Sequence, residues 1–351
     1  MLGIGGLRLN RSILIIGAGV AGLGIGWRLA QQCVAVTILE RGEAAMSATH
    51  AAAGMIAATA EMAGAPEPEI AFAARAHALW PGFAAELEAA SGVKLDYRQN
   101  GALMLEPSRP AILPPGTQWL AGAEARAHAP MLADQPGAIW APDEAQVDNR
   151  ALGRALALAF VAAGGTLRSG TAVTALAARG VETPWGLLTA DAVLVAAGAW
   201  SGGIASVPVS PVKGQMIALT PPPGAQIPAP VIWGNGVYLV PRRDRLLVGA
   251  TVEQEGFDVT PTPVARDDLR RRAEGLIPGL QHWTLAEHWA GLRPASPDGL
   301  PLLGALANGV FVAAGQYRNG ILFAPAIADH MRDVMLGRAD IIPAFDPQRF
   351  T

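Results

Sequence analysis

Ser12-Ile-Leu-Ile-Ile-Gly-Ala-Gly-Val-Ala-Gly-Leu-Gly-Ile-Gly-Trp27 places a fully apolar run directly ahead of ordered glycines. Ile13 to Ile16 has the character of a parallel strand buried on both faces. Gly17, Gly19 and Gly22 then match G-x-G-x-x-G. The first glycine permits a tight turn, the second lets the backbone approach a pyrophosphate, and the third lets helix and strand pack closely. A helical stretch follows to about Gln32, and Val34-Ala-Val-Thr-Ile-Leu39 is a second β-branched run ending in Glu40. Strand, glycine turn, helix, strand is a βαβ unit with a right-handed crossover. Glu40 stands 18 residues beyond the last glycine, where a carboxylate accepts both ribose hydroxyls. Its charge disfavours a 2′-phosphate. The helix N-terminus adds unpaired amides and partial positive charge for phosphates. These features together predict a bound dinucleotide.

Outward from this unit, 351 residues suggest about two domains at ~150 residues each. Apolar residues make up 51% and charged ones 16%, enough for a large core and too little charge for a disordered chain. A net charge of −3 argues against a nucleic-acid binder, which needs a basic surface. One cysteine excludes a disulfide framework and points to a reducing, cytoplasmic setting. Arg8 and Arg11 ahead of the first apolar run give it the outline of a secretory signal, but the run is shorter than a bilayer span and its glycines are ordered. No membrane span is expected.

Further helices are expected from Ile70 to Ala90, from about Asn149 to Ala163, and from Pro325 to Gly337. Proline at a first helical position gives up only an unpaired amide, and a glycine closes the far end. Strands are expected near Ala102 to Leu105, Thr171 to Ala175, Ala192 to Ala196, Val237 to Val240, Leu246 to Gly249 and Val310 to Ala314. The turn Arg242-Arg-Asp-Arg245 reads as a basic loop. Parallel-type strands at both ends and in the middle imply a discontinuous nucleotide domain with a second domain inserted.

Spacing alone leaves FAD and NAD open, and three later segments favour a flavin. Ala48-Thr-His-Ala-Ala-Ala-Gly-Met55 is a run of small residues suited to close approach by a bulky ring. Ala190-Asp-Ala-Val-Leu-Val-Ala-Ala-Gly-Ala-Trp-Ser-Gly202 is a strand breaking into glycine. Ala314-Gly-Gln-Tyr-Arg-Asn-Gly-Ile-Leu322 leads into the Pro325 helix, whose positive end stabilises charge on a reduced flavin.

At these residues the sequence resembles the D-amino-acid oxidase superfamily of FAD proteins, within it the glycine oxidases. The similarity runs from Ile13 to about Phe345. It rests on Ala51-Ala-Ala-Gly-Met55, Ala197-Gly-Ala-Trp-Ser-Gly202, Pro211-Val-Lys-Gly214, Tyr238-Leu-Val-Pro241, Val248-Gly-Ala-Thr251, Trp289-Ala-Gly-Leu-Arg-Pro294 and Arg318-Asn-Gly-Ile-Leu322. The resemblance implies an α/β fold: a discontinuous Rossmann-like FAD-binding domain (residues 11–90, 142–207 and 292–351). Inserted in it is an α+β substrate domain with a mainly antiparallel sheet (residues 91–141 and 208–291). It also implies that Arg293 binds the substrate carboxylate, that Arg318 assists, and that Tyr238 lines the pocket. The implied flavin contacts are Val20, Ala21, Glu40, Arg41, Ala48, Thr49, Ala53, Gly54, Met55, Val173 and Gly198. Gln316, Tyr317, Asn319, Gly320, Ile321 and Leu322 complete that set, beside Gly17, Gly19 and Gly22. Gly236 stands where relatives can carry a histidine, leaving space there, and Val252 where a methionine can line the pocket.

A guanidinium matches a carboxylate in planar, bidentate geometry, so Arg293 is the right type to fix an amino acid's head. The implied reaction is hydride transfer from Cα to flavin N5, hydrolysis of the imine, and reduction of dioxygen to hydrogen peroxide. No side-chain acid or base is assigned. The implied role is supply of the imine used for thiamine's thiazole ring. Alternatives left open are a dehydrogenase passing electrons to a quinone or electron-transfer protein, an oxidase preferring sarcosine or a larger D-amino acid, and a sensor that binds FAD without turnover. The implied partners are a small amino acid or amine and dioxygen, with a homo-oligomer left open. FAD is expected to be non-covalent, because His50 is displaced by one position from the histidine that holds flavin in related dehydrogenases. Cys33 reads as a buried packing thiol. Lys213 either promotes oxygen reduction or caps a strand. His282 and His288 lack companions at metal-ligand spacing, so no metal is expected. Ser201 is off by one from a nucleophile elbow.

Overall fold

The computed structural model describes residues 12–350, so Arg8 and Arg11 lie outside the described residues. The two apolar runs form the parallel strands Ser12–Ile16 and Ala35–Leu39, with Ile15 opposite Ile38. Ala192–Val195 pairs with the first strand on its other side, followed by Val310–Ala314, both in parallel. Leu302–Ala305 closes that edge antiparallel, and Thr166–Arg168 extends the opposite edge in parallel.

The continuous apolar character of the first strand follows from cover on both faces. Ile13 and Ile15 enter a core shared with the helices Val20–Ala30, Glu67–Ser91, Asn149–Ala162 and Ala324–Met335. Leu14 and Ile16 enter a second core with Val181 and Val207, beneath a small antiparallel sheet of Ala175–Ala177, Gly180–Thr183 and Gly186–Leu188. The helix Asn149–Ala162 is started by Asp148, which accepts the amides of Arg150 and Ala151 at 2.9 Å each. A cap of this kind is worth about 1 kcal/mol.

Two expectations are corrected. Thr171 to Val173 is loop rather than strand: the Thr171 amide donates to the Glu40 carbonyl at 2.8 Å instead of joining a ladder, and a strand starts only at Ala175. Cys33 is exposed, in the turn after the first helix, with φ 59°.

A second sheet has eight strands in the order Thr284–Ala295, Ser210–Thr220, Leu246–Gly249, Val237–Pro241, Val231–Gly234, Ala102–Glu106, Gly137–Ala141 and Gln118–Ala121. All pairs are antiparallel except Val231–Gly234 with Ala102–Glu106. Side chains alternate across it. Ile217, Leu239 and Val248 pack with Leu269 of the helix Pro263–Leu276, whereas Met216, Val240 and Tyr238 face a cluster containing Ala53 and Met55. Asn235 and Gly236 have φ values of 50° and 71°, the left-handed pair of a two-residue hairpin turn joining Gly234 to Val237. Gly236 is therefore required by the turn and does not merely leave space. Among the described residues no helix is long and apolar enough to cross a membrane.

Candidate active site

The glycines of the first turn divide their work as their positions suggest. Gly17 has φ 103°, and a Cβ there would stand 2.5 Å from the Ala196 carbonyl oxygen. A Cβ at Gly22 would collide with the Gly17 carbonyl, so Gly22 serves helix–strand packing. At Gly19 a Cβ would meet only Thr49 Oγ1 among the described residues, at 3.6 Å, so the packing around it does not require glycine there. The space ahead of Gly19 belongs to a cavity of about 930 Å³. That is at the upper end of the ~300–1,000 Å³ typical of ligand and cofactor sites.

All the residues singled out from the sequence for FAD or substrate line this cavity, with the single exception of Gly22. Glu40 closes the dinucleotide end. Its Oε2 accepts the Ala18 amide at 2.8 Å and its Oε1 the Gly42 amide at 3.1 Å, which fixes a carboxylate with lone pairs to spare. Arg41 lies with its guanidinium 3.7 Å from the centre of the Trp200 ring. The Val20 amide is already taken by Thr49 Oγ1 at 2.9 Å. Gly19 and Ala21, whose amides have no acceptor among the described residues, remain for a phosphate.

The middle of the cavity is built from three backbone segments held together by other side chains. The Ala53–Met55 turn depends on Gly54, φ 76°, and on Arg242. Arg242 is 7% exposed and donates to Gln146 Oε1 at 2.7 Å, to the Val147 carbonyl at 3.0 Å and to the Ala53 carbonyl. Burial lowers its pKa to about 10. Trp80 Nε1 holds the Leu322 carbonyl at 2.9 Å. Within the loop so fixed, Gln316 Nε2 and Asn319 Oδ1 are buried with no partner among the described residues. The open ground before Gly19, the anchored Glu40 and these two orphaned amide atoms fit a flavin dinucleotide. Residues 17–21 and Glu40 would hold its phosphates and ribose, and residues 48–55 and 316–322 its ring.

At the other end stand the residues assigned to substrate. Arg293 lies on the strand Thr284–Ala295 beside Ser210–Thr220, where Gly291 faces Gly214. Its Nη1 donates to the Thr251 carbonyl at 3.1 Å and the Lys213 carbonyl at 3.3 Å. A Cβ at Gly214 would lie 2.5 Å from Nη2 and 2.6 Å from Cζ, so the glycine makes room for the guanidinium. Tyr238 adjoins it; burial pushes its hydroxyl above the ordinary value, with Arg293 pulling the other way. Arg318 is at the exposed mouth, 5.1 Å from the Tyr317 ring. Among the described residues no carboxylate lies within 4 Å of either arginine. Two guanidiniums in one cavity, neither paired to a carboxylate within 4 Å among the described residues, keep donors available for an anion.

The same strand ties clamp to cofactor loop. Trp289 Nε1 donates to the Ala51 carbonyl at 3.1 Å, and Gly291 leaves room for Ala51. The Tyr317 amide donates to the Pro294 carbonyl at 2.8 Å.

Other candidates lie apart. His50 is not on the cavity wall; burial, then Arg150, lowers its pKa. Lys213 is 1% exposed and sends its ammonium to Asp258 and Glu253 at 3.6 and 3.7 Å, away from the wall. Three contributors went unread. Glu61 lines the cavity; burial raises its pKa, while Arg318 and Arg293 pull it down. Glu144 and Arg242 support the wall from behind. No motif spacing marks any of the three.

Comparison with known proteins gives the same direction. The model of the family DAO, FAD dependent oxidoreductase, matches residues 12–334. The bifunctional protein ThiO/ThiG of Synechocystis sp. is 38% identical over 360 residues, covering 98% of this chain; this chain spans 55% of that protein's length, and 53% of two further bifunctional relatives. The glycine oxidase of Geobacillus kaustophilus is 33% identical over 339 residues, 89% of each chain. The crystal structure of glycine oxidase from that organism superposes with a TM-score of 0.90 at 30% identity, covering 97% of this chain and 99% of the other. A cavity shaped for a flavin dinucleotide, inside a fold shared along almost its whole length, places this chain in the FAD dependent oxidoreductase family.

Proposed function

We propose that this chain oxidises glycine or a similarly small amino acid or secondary amine, consuming dioxygen and water and releasing glyoxylate or the matching 2-oxo acid, hydrogen peroxide, and ammonia from a primary amine or the corresponding primary amine from a secondary one. The observation that carries this reading is the pair Arg293 and Arg318, with no carboxylate within 4 Å among the described residues, at one end of a cavity whose other end suits FAD. Bound FAD would supply the hydride acceptor for the substrate Cα and the route by which the electrons reach dioxygen. The protein's part is positioning, which can supply several kcal/mol towards the barrier. Arg293 grips the carboxylate with the edge not spent on the Thr251 and Lys213 carbonyls. Tyr238 offers a hydroxyl beside it, and Arg318 closes the mouth. The apolar wall of Met55, Met216 and Trp233 limits water around the Cα.

The division into an FAD-binding part and a substrate part belongs to the same proposal, supported by two large sheets with separate cores. Similarity to ThiO/ThiG supports placing the imine product in thiazole formation for thiamine. Anaerobic titration of the flavin spectrum with glycine, sarcosine and D-alanine tests the reading. Bleaching by at least one, with peroxide and glyoxylate from glycine in air, is expected. A flavin that no amine bleaches overturns it.

A further inference from the structure

Glu144 is 3% exposed and belongs to the turn that follows the strand Gly137–Ala141. Its Oε1 accepts the Thr59 amide at 2.5 Å, and its Oε2 is buried with no donor in full hydrogen-bond geometry among the described residues. Among the described residues no cation lies within 4 Å of it. A carboxylate in that setting opposes folding, since burial without a counter-charge disfavours ionisation. Burial raises its pKa to about 7, the amide and hydroxyl of Thr59 and the amide of Ala60 working against that rise and Glu61 adding to it. The peptide it holds is part of the site: Thr59, Ala60 and Glu61 all line the cavity. Glu61 makes no ion pair within 4 Å among the described residues, yet it feels both Arg318 and Arg293. The gap between one carboxylate and two guanidiniums has the polarity of an amino acid lying with its acid end on the arginines and its amine towards Glu61.

We propose that Glu144 is a positioning residue of the substrate chamber: by holding the Thr59–Glu61 backbone it aims the Glu61 carboxylate at the amine of the bound substrate. This rests on the amine-oxidation reading above and adds how the amine end is recognised. The charged and titratable groups around Glu144 are Glu61 on the loop it holds and Asp143 beside it. His77 on the helix Glu67–Ser91 bonds the Asp143 carbonyl at 2.8 Å, and Arg98 is paired with Asp96 at 2.6 Å. The sign of the stability effect follows from the raised pKa. Glu144 favours the fold below the ordinary carboxylate range, and that contribution is lost as pH rises through about 7.

The test uses the FAD-loaded enzyme with Glu144→Gln, Glu61→Gln and the double variant. Losing a charged hydrogen bond that orders a binding group is worth about tenfold, so KM for glycine at pH 8 should rise about tenfold in Glu144→Gln with kcat little changed. In the Glu61→Gln background the same change should add nothing. The inflection of kcat/KM near pH 7 should flatten in Glu144→Gln. The melting temperature of Glu144→Gln should exceed that of the parent by about 3 °C or more at pH 8, and the gap should close towards pH 5. Should Glu144→Gln not fold, Glu144→Asp keeps the charge, withdraws it, and should raise KM while preserving the inflection. An unchanged KM, an additive effect in the Glu61→Gln background, or a melting temperature lowered at every pH overturns the proposal. A parent enzyme that oxidises no amine overturns the proposed function instead, and the pH dependence of melting is still measurable then.

Discussion

Replacing Gly214 by alanine tests the carboxylate clamp without touching an arginine. The added Cβ would stand 2.5 Å from Arg293 Nη2 and 2.6 Å from Cζ, against an ordinary contact of 3.4–4 Å. The guanidinium must therefore retreat by about 1 Å, and the displaced group is the far end of a flexible side chain. Its bonds to the Thr251 and Lys213 carbonyls, at 3.1 and 3.3 Å, cannot both survive that retreat. A misplacement of about 1 Å in a group that orients the reacting atom costs about 10²-fold in rate, or about 2.7 kcal/mol at the transition state. The backbone has no need to move, so stability should change by less than about 1 kcal/mol, a melting shift of no more than ~2–4 °C. A peroxide-coupled assay with glycine gives kcat/KM, flavin absorbance gives cofactor content, and a thermal scan gives stability. The expected result is a loss of about 10²-fold in kcat/KM, full flavin and near-parental melting. In the double variant with Arg293→Ala, the alanine at 214 should add nothing. A Gly214→Ala enzyme within about twofold of the parent would show that Arg293 does not hold substrate from this position.

Three further outcomes are expected. Gly19→Val should fold as an apoprotein, because the protein offers only Thr49 Oγ1 at 3.6 Å to a Cβ there, but it should not bind FAD; a yellow, fully loaded variant contradicts the phosphate assignment. Arg242→Met should lower unfolding free energy by about 3 kcal/mol in denaturant titration, since Gln146 Oε1 and the carbonyls of Ala53 and Val147 lose a charged donor. Parental stability there would mean that the Ala53–Met55 turn is held by something else. Tyr238→Phe should leave melting nearly unchanged, since its hydroxyl donates to no stronger acceptor than Met216 Sδ at 3.8 Å among the described residues. KM should nevertheless rise by about three- to tenfold; an unaltered KM removes the hydroxyl from substrate binding.

What could be read from the residues was whatever short-range order encodes. Ser12 to Glu40 announces its βαβ unit because buried parallel strands are continuously apolar and because Gly17 and Gly22 meet steric demands within a few residues of themselves. The helix from Asn149 is legible through its own cap. Arg242 was not, since it sits in a run of charges that looks solvated, and only the convergence of the Ala53 and Val147 carbonyls makes that spot a place for an arginine. Glu61 belongs to no motif; its direction depends on Glu144, which is distant in the chain. Cys33 failed for the opposite reason: an apolar residue type at a helix end was given a packing role where the chain turns outward. The Thr171 to Val173 stretch shows β-branched character outcompeted by one bond to the Glu40 carbonyl.

The strand from Thr284 to Ala295 begins in the antiparallel sheet and passes Ala51 before its Pro294 carbonyl receives Tyr317. Because one stretch of backbone is riveted to both the Ala51 and the Tyr317 segments, the proposed grip on an acid group and the proposed bed beneath the cofactor cannot swing apart like the halves of a clam. Aim is thus inherited from main chain and is insensitive to what decorates the entrance. Under the proposed function, shifts in appetite from one amine to another are then free to arise at the outer lip, around Val252 and the hairpin tip, while the placement of Arg293 stays as it was.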